Sequence, residues 1–400
     1  MFDLLFFSFI GIIIGSFAGM LPGLHPNQLY FMLVSFGLFL EQKCFVVFLC
    51  SLAAANVLFN YLPSLFLSLP EIGTIINVLP GHRMVIKGNG MAALMVSLAA
   101  AVTTFLVIFL LLPVLVLTIP EIHKTTRPFV HFILLGLMVF MVFIEKDNKK
   151  RLFAALMFGL SGIWGILTLN SKLIDSSKSL MPALTGLFGL PGLIMSTSTK
   201  IPKQDSDKAS IFIGAKPVIL GLLAGVLSGI LPGAGESQAG LAVMAFQKLK
   251  DEEVVGSLAA INAANMFLSM LMLATTGKVR SGLTEALSPT DFKEFLLLGC
   301  GSVLFSAGIS AIICFLLGKR VIKLLESIDY KKLSYVISLS LALMVVFISG
   351  LVGLFILLVS TCIGMLPLLL HVKRTCNMGF FMVPVVLYYI GWMELFISIS

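Results

Sequence analysis

Long apolar runs recur along the whole chain, and they restrict its possible fold more than any other feature of the sequence. Three of them cover residues 4–21, 91–119 and 295–317. A helix needs about 20 residues to cross roughly 30 Å of hydrocarbon, and many of the runs reach that length. The alternation of apolar and polar residues that marks transmembrane strands is missing. The runs therefore predict an all-α polytopic protein of the cell membrane.

The composition agrees with a membrane setting. Hydrophobic residues make up 58% of the chain and charged residues 12%, whereas a soluble domain carries about 25% charged residues. The formal net charge of +8 comes from basic residues scattered over short loops, which indicates membrane topology rather than nucleic-acid binding. The six cysteines include no CxxC pair, so we expect mostly buried free thiols.

An internal repeat is the second constraint. Residues 11–23 and 221–233 both fit the pattern GxxxGxxxGxLPG, and every matched position lies at the same offset. A further match pairs Asn56 with Asn265, each preceded by two alanines, in the same order and almost the same register. Two motifs repeated in one order imply duplication of a helical unit.

The duplication predicts two transmembrane repeats of about seven helical segments each, at residues 1–196 and 211–400, joined by a hydrophilic linker at 197–210. An odd number of crossings per repeat would place the repeats in opposite orientations. That arrangement leaves an excess of basic residues on the cytoplasmic side, as the positive-inside rule requires. We therefore predict inverted repeats, a design in which many secondary transporters bind substrate near the midplane, where broken helices meet.

The two LPG elements are expected to form broken or re-entrant helices inside the membrane. Proline lacks a backbone N–H and glycine tolerates unusual dihedral angles, so each helix ends there and frees backbone groups that need a polar cavity. The predicted substrate-binding residues at and just after these breaks are Pro22, Gly23, His25, Asn27, Pro232, Gly233 and Ser237. The glycines before each break fit simple helix packing equally well.

Glu236 is the acidic residue expected at membrane depth, since it follows the second break in an apolar, glycine-rich stretch. An ionisable group at that depth is a candidate for coupling to a proton or sodium ion, or for gating, unless the break reaches the surface and the carboxylate is solvated. Asn56 and Asn265 lie in apolar helices, where a side-chain amide either binds ligand or bridges two helices.

Two basic loops are candidates for binding an anion. Arg83 lies in the sequence PGHR, and Arg280 follows TTGKV, each after the asparagine-bearing helix of its half. Positive charge and glycine-assisted backbone access suit a carboxylate or phosphate. Positive-inside anchoring explains the Arg83 loop as well, but the predicted topology places the Arg280 loop on the opposite side.

At these residues the chain resembles the large membrane subunit of tripartite tricarboxylate transporters, the TctA-like family, and especially its stand-alone archaeal branch. The likeness spans nearly the whole chain and is carried by the paired LPG segments, LPGHR at 79–83, TTGKVRSG at 275–282 and LTGLFGLPGL at 184–193. The resemblance implies a secondary carrier of organic anions such as citrate. It also implies two partners, a small membrane subunit and an extracytoplasmic binding protein.

Ion-coupled secondary transport of a small di- or tricarboxylate-like anion by alternating access is the leading interpretation. The alternative is translocation of polyprenyl phosphate or a similar anionic lipid, which would use the same anion-binding parts. No HExxH, GxSxG or GxxxxGKS/T motif is present, which disfavours an enzyme and an ATP-driven pump. We expect no catalytic residue, cofactor or metal, and contact with membrane lipids besides the substrate and the coupling ion.

Overall fold

The fold is entirely helical in the part of the chain that the computed structural model describes, namely residues 2–21, 40–66, 80–170, 174–195, 202–204, 214–230, 235–245, 247–287, 289–327 and 329–392. In chain order the α-helices are α1 (Phe2–Met20), α2 (Gln42–Phe59), α3 (Tyr61–Phe66), α4 (Pro80–Ile86), α5 (Gly90–Leu110), α6 (Leu112–Thr126), α7 (Val130–Phe143), α8 (Asn148–Leu169), α9 (Ser176–Leu184), α10 (Leu190–Ile194), α11 (Ala215–Ile230), α12 (Glu236–Met244), α13 (Asp251–Thr276), α14 (Gly282–Ala286), α15 (Pro289–Glu294), α16 (Leu296–Ser327), α17 (Tyr330–Leu369) and α18 (Gly379–Ile390). A π-helix covers Thr185–Gly189, and 3-10 helices cover Arg127–Phe129 and Arg374–Met378.

Eight helical stretches among the described residues are long and apolar enough to cross a membrane. Large apolar side chains cover their outward faces, and Phe2 and Phe347 are each 87% exposed. Exposed apolar surface of this extent is unusual on a soluble protein, but lipid tails solvate it without cost. The prediction of an all-α polytopic membrane protein is thereby confirmed.

The chain divides into two compact units. Unit 1 comprises Met1–His123, Thr197–Ile230 and Val243–Lys331, and unit 2 comprises Lys124–Ser196, Leu231–Ala242 and Lys332–Ser400. Each unit contains helices from both halves of the sequence. The compact units do not coincide with the predicted repeats, and the boundaries and inversion of the repeats stay predictions.

In unit 1, the three glycines of the first repeat motif allow α1 to pack closely against α2. A Cβ atom added at Gly15 would lie 2.2 Å from the carbonyl oxygen of Leu52, and Gly11 and Gly19 face backbone oxygens of α2 in the same way. Only a residue without a side chain permits two helix backbones to approach this closely. The motif therefore fixes the α1–α2 pair.

The corresponding glycines of the second motif pack α11 against α13 through contacts of a different kind. A Cβ atom at Gly225 would lie 2.3 Å from the Cβ of Ala264, and one at Gly221 would lie 2.2 Å from the Cβ of Ala260. The obstacle in this pair is a methyl group, whereas in the α1–α2 pair it is backbone. The same sequence pattern thus builds two helix pairs with different tolerance to substitution.

The difference predicts that a loss at Gly225 can be repaired from the opposite helix. We expect Gly225→Ala to cost about 1–3 kcal/mol of stability through overpacking. Adding Ala264→Gly should restore most of it, because the glycine then lies on the other helix and the helix propensities of the two changes nearly cancel. Thermal unfolding in detergent measures both variants. As a control, Leu52→Ala should fail to rescue Gly15→Ala; equal behaviour of the two pairs would contradict the distinction.

Hydroxyl groups add polar contacts between helices of unit 1. Ser8 Oγ on α1 lies 2.8 Å from Ser51 Oγ on α2 and 3.3 Å from Ser306 Oγ on α16. Tyr61 Oη donates to the carbonyl oxygen of Ala259 at 3.1 Å. Between apolar helices, such hydrogen bonds contribute to association where hydrophobic burial gives no advantage over lipid.

Part of the predicted linker is also anchored in unit 1. Gln204 Oε1 accepts from the backbone N–H of Gly90 at 2.7 Å, and its Nε2 donates to the carbonyl oxygen of Val85 at 3.0 Å. One side chain therefore satisfies both a donor and an acceptor around the start of α5. The described linker residues, 202–204, lie against the α4–α5 connection.

Unit 2 is built around the packing of α8 on α18. A Cβ atom at Gly165 of α8 would lie 2.0 Å from the carbonyl oxygen of Phe380, and one at Gly379 would lie 2.4 Å from that of Phe158. Trp164 Nε1 donates to Ser360 Oγ on α17 at 2.8 Å, which ties a third helix to the pair. Glycine on each of two facing helices therefore allows their backbones to approach closely.

Two residues with positive φ angles shape α17: the first interrupts the helix and the second ends it. Gly350 has φ 64° and ψ −161°, so α17 consists of two helices that meet at this residue. His371 has a left-handed φ of 54°, which stops the helix because a continued right-handed turn is impossible there. The chain then enters the 3-10 helix Arg374–Met378 and continues directly into α18.

Candidate functional site

Most predicted residues at the LPG breaks lie outside the described residues, namely Pro22, Gly23, His25, Asn27, Pro232 and Gly233. Ser237 belongs to α12, but the structure does not describe its side chain. α1 and α11 end at Met20 and Ile230, directly before the two LPG elements. The broken helices themselves stay a prediction.

The two asparagines lie on equivalent helices of unit 1. Asn56 is 3% exposed on α2, and Asn265 is half-buried on α13. Each occurs on the helix that packs against the glycine motif of its own repeat, and the carbonyl oxygen of Asn56 faces Gly19. Their equivalent placement agrees with the duplication that the sequence predicts.

Arg83 is engaged by a carboxylate. Its Nε and Nη2 atoms donate to Asp251 Oδ1 at 3.1 and 2.5 Å, and Lys87 Nζ lies 3.5 Å from Asp251 Oδ2. The Arg83 side chain is 32% exposed. The ion pair links α4 to the first residue of α13, so an anionic ligand would have to share this guanidinium with Asp251.

Arg280 lies at the other end of α13, beyond Gly277, which caps that helix. Its backbone N–H donates to Thr284 Oγ1 at 2.9 Å, within the capping box that starts α14 at Ser281. Since α13 has 26 residues, it is about 39 Å long. Arg83 and Arg280 therefore cannot bind the same small anion.

Glu236 is half-buried and is the first residue of α12. An acidic side chain at this position is favoured by the helix dipole, which gives Glu236 a structural role beside the predicted one in ion coupling. Two residues later, the buried Gln238 contacts the chain between α17 and α18 in unit 2. The helix that carries Glu236 is thus packed on the cluster described next.

A polar cluster of four residues, Arg374, Thr375, Asn377 and Gln238, lies in unit 2. Arg374 Nη2 donates to the carbonyl oxygen of Phe188, and Asn377 Nδ2 donates to that of Leu187 at 3.4 Å. Gln238 Nε2 donates to the carbonyl oxygen of Thr375 at 3.4 Å. Three separate parts of the sequence therefore meet around the 3-10 helix Arg374–Met378.

The two carbonyl groups that accept from Arg374 and Asn377 belong to the π-helix Thr185–Gly189, between α9 and α10. A π-turn is wider than an α-turn and occurs frequently at functional sites. Its position is held by Gly186, where an added Cβ would lie 2.4 Å from Ser360 Cβ on α17. The π-helix thus presents two adjacent backbone oxygens to the polar cluster.

Four buried atoms of the polar cluster have no hydrogen-bond partner among the described residues. They are Arg374 Nε, Thr375 Oγ1, Asn377 Oδ1 and Gln238 Oε1. The side chains of Asn377 and Gln238 belong to residues that are 0% exposed. Each unpaired buried polar group costs about 1–3 kcal/mol, so four of them in one place require a physical explanation.

The charge of the cluster is uncompensated. Within the described part of the chain, no carboxylate lies within 4.0 Å of the Arg374 guanidinium. Burial lowers the pKa of Arg374 from its usual value, and burial raises the pKa of the neighbouring Cys376 thiol to about 12. The thiol therefore stays neutral at physiological pH and gives the guanidinium no counter-charge.

A buried carboxylate does lie near the cluster, but it serves the backbone. Glu145 is 6% exposed, and its Oε1 accepts from the backbone N–H of Lys373 at 3.0 Å. Its own carbonyl oxygen accepts from Arg151 Nε at 3.2 Å. Glu145 thus positions the residue before Arg374 and forms no ion pair with the guanidinium.

Arg374 does not stand out in the sequence. It follows Lys373 in a short basic loop between two apolar runs, a pattern that indicates membrane topology. The available signal is the segment LTGLFGLPGL at 184–193, which carries part of the family resemblance and supplies both carbonyl groups of the cluster. Only the fold shows that this segment contacts the basic loop that contains Arg374.

Comparison with known proteins agrees with the resemblance seen in the sequence. The model of the family described as "Tripartite tricarboxylate transporter TctA family" matches residues 5–379 of this chain. The archaeal "Uncharacterized protein MJ1079" of Methanocaldococcus jannaschii is 26% identical over 403 residues, which cover 96% of this chain and 99% of that protein. No solved structure matches the chain.

Proposed function

Because this chain belongs to the tripartite tricarboxylate transporter TctA family, we propose that it is a secondary carrier of small di- or tricarboxylate-like anions and works by alternating access. Family membership and the eight candidate spans among the described residues make the chain a multi-pass membrane transporter. Beyond family membership, we propose the class of anion, the coupling to an ion and the alternating-access mechanism.

The observation that carries the proposal is the pair of equivalent helix contacts in unit 1. The motif glycines pack α1 on α2 and α11 on α13, and both α1 and α11 end directly before an LPG element. Inverted-repeat carriers build a midplane site from equivalent helices that lead into breaks, and we predict such breaks at both LPG elements. We therefore place substrate binding close to the two LPG elements.

Ion coupling is assigned to Glu236. A carboxylate that follows a helix break in an apolar stretch is a typical site for a coupling proton or sodium ion in a membrane carrier. Its helix, α12, contacts the 3-10 helix Arg374–Met378 through Gln238, and an added Cβ at the preceding Gly235 would lie 2.5 Å from Met378 Cε. A change of charge at Glu236 is thereby in a position to act on that part of unit 2.

The proposal is tested by transport with the purified chain in liposomes. We expect saturable exchange of internal for external radiolabelled malate, succinate or citrate, which other dicarboxylates inhibit and neutral sugars do not. Protein-free liposomes are the control. If folded protein exchanges none of these anions but moves a labelled polyprenyl phosphate between leaflets, the lipid alternative is correct.

The same assay separates the chain from its possible partners. We propose that a small membrane subunit and an extracytoplasmic binding protein assist uptake in the cell, as the tripartite family implies. The liposomes contain only this chain. Exchange in their absence would therefore show that the translocation step belongs to this chain alone.

A further inference from the structure

The polar cluster around Arg374 has the electrostatic properties of an anion site. The Arg374 guanidinium is half-buried and has no carboxylate partner among the described residues, and its bond to the Phe188 carbonyl supplies a dipole rather than a counter-charge. Arginine presents five N–H donors in a planar fork that matches a carboxylate. An anionic group bound here would neutralise the charge and use the free Nε donor.

The amide groups of the cluster set a second requirement on the ligand. Asn377 and Gln238 each direct their NH₂ group to a backbone carbonyl oxygen, which can only accept a hydrogen bond. The orientation of both amides is therefore fixed, and both side-chain oxygens remain as acceptors without donors. A carboxylate offers only acceptors, so it cannot satisfy them. A hydroxyl group carries one proton and can donate it to one of these two oxygens.

From these two requirements we infer that unit 2 contains a site for a hydroxylated carboxylate. Arg374 binds the carboxylate group, and the hydroxyl group donates its one proton to the amide oxygen of Asn377 or of Gln238. The Thr375 hydroxyl is a further donor or acceptor at the site. The site deepens the proposed function and rests on it. A phosphate monoester would pair with the arginine but, once ionised, would leave both amide oxygens unsatisfied.

The inference predicts discrimination between ligands that differ only by a hydroxyl group. We expect the detergent-solubilised chain to bind malate about ten-fold or more tightly than succinate, and citrate similarly more tightly than tricarballylate, because a site built around a hydroxyl rejects the analogue that lacks it. Calorimetry or competition with radiolabelled malate gives both dissociation constants without requiring transport. Equal affinity within both pairs would overturn the inference.

Three variants assign the roles. Arg374→Gln should weaken binding of malate and succinate alike, by about 30-fold or more, because it removes the charge. Arg374→Lys should recover only part of this, since an ammonium lacks the planar fork. The double change Asn377→Leu with Gln238→Met should instead abolish the preference for malate and leave succinate affinity nearly unchanged. Arg320→Gln, an exposed arginine on α16, is the matched control and should change nothing.

Stability of the ligand-free chain separates a binding role from a structural one. If Arg374 serves a ligand, Arg374→Gln removes a charge that has no carboxylate partner among the described residues, so the melting temperature without ligand should stay the same or rise while the malate-induced increase disappears. A lower melting temperature without ligand, together with unchanged malate affinity, would show that Arg374 only stabilises the fold. Binding of polyprenyl phosphate through Arg374 with none of malate or citrate would reject the ligand class.

Binding to Arg374 and transport in liposomes are measured separately, so either one can fail without the other. If Arg374→Gln exchanges carboxylates normally and binds malate with unchanged affinity, the Arg374 site is rejected and the carrier function stands. Binding of malate through Arg374 by a chain that exchanges no carboxylate in liposomes would keep the site and reject the carrier.

Discussion

Gly165→Ala is expected to leave little folded protein. An added Cβ would lie 2.0 Å from the carbonyl oxygen of Phe380 and 2.9 Å from its Cα, so the obstacle is backbone that no rotamer change can move. Overpacking typically costs 1–3 kcal/mol, and a clash between two backbones should cost about 3 kcal/mol or more. Since a whole domain is stable by only about 5–15 kcal/mol, the yield of monodisperse protein and its melting temperature should both fall sharply.

Gly159→Ala on the same helix is the control for this prediction. No atom lies within 4 Å of a Cβ added there, and the residue is exposed. Alanine at that position should raise stability by up to about 1 kcal/mol, because it has the higher helix propensity. Similar losses at both glycines, or no loss at Gly165, would contradict the packing of α8 on α18.

The second large effect is expected at Glu236. If its carboxylate carries the coupling ion, Glu236→Gln should abolish uphill uptake of the anion and leave exchange largely intact, since exchange need not release the ion. Both activities are measured in the same liposomes, with and without an imposed proton or sodium gradient. Uphill uptake that equals that of the unchanged chain would remove Glu236 from the coupling mechanism.

The structural role of Glu236 needs its own control. A negative charge in the first turn of a helix contributes about 0.3–1 kcal/mol through the helix dipole, so some effect on stability is expected regardless of transport. Glu252 lies in the first turn of α13 and is exposed. Glu252→Gln should reproduce the small effect on stability without any change in uptake. Loss of uphill uptake in both variants would point to stability rather than coupling.

Much of the packing could be predicted from local patterns. The spacing of Gly11, Gly15 and Gly19 predicts a narrow helix face, and the structure places α2 against it. The spacing does not show whether the partner contributes backbone or a methyl group, as α13 does with Ala264. That difference depends on the register between two helices, which a single sequence leaves open.

The sequence by itself determined that the protein lies in a membrane, that it is helical and which family it belongs to. Apolar runs near 20 residues and repeated motifs depend only on neighbours along the chain. The tertiary structure decided which polar groups share a site. Gln238, the π-helix near Phe188 and Arg374 are far apart in sequence, and only helix packing brings them together. Long-range contacts decide whether a cation pairs with a carboxylate, as Arg83 does, or lies half-buried with no carboxylate partner in the described part of the chain, as Arg374 does. The reason is that the energy of a charge is set by what surrounds it in space.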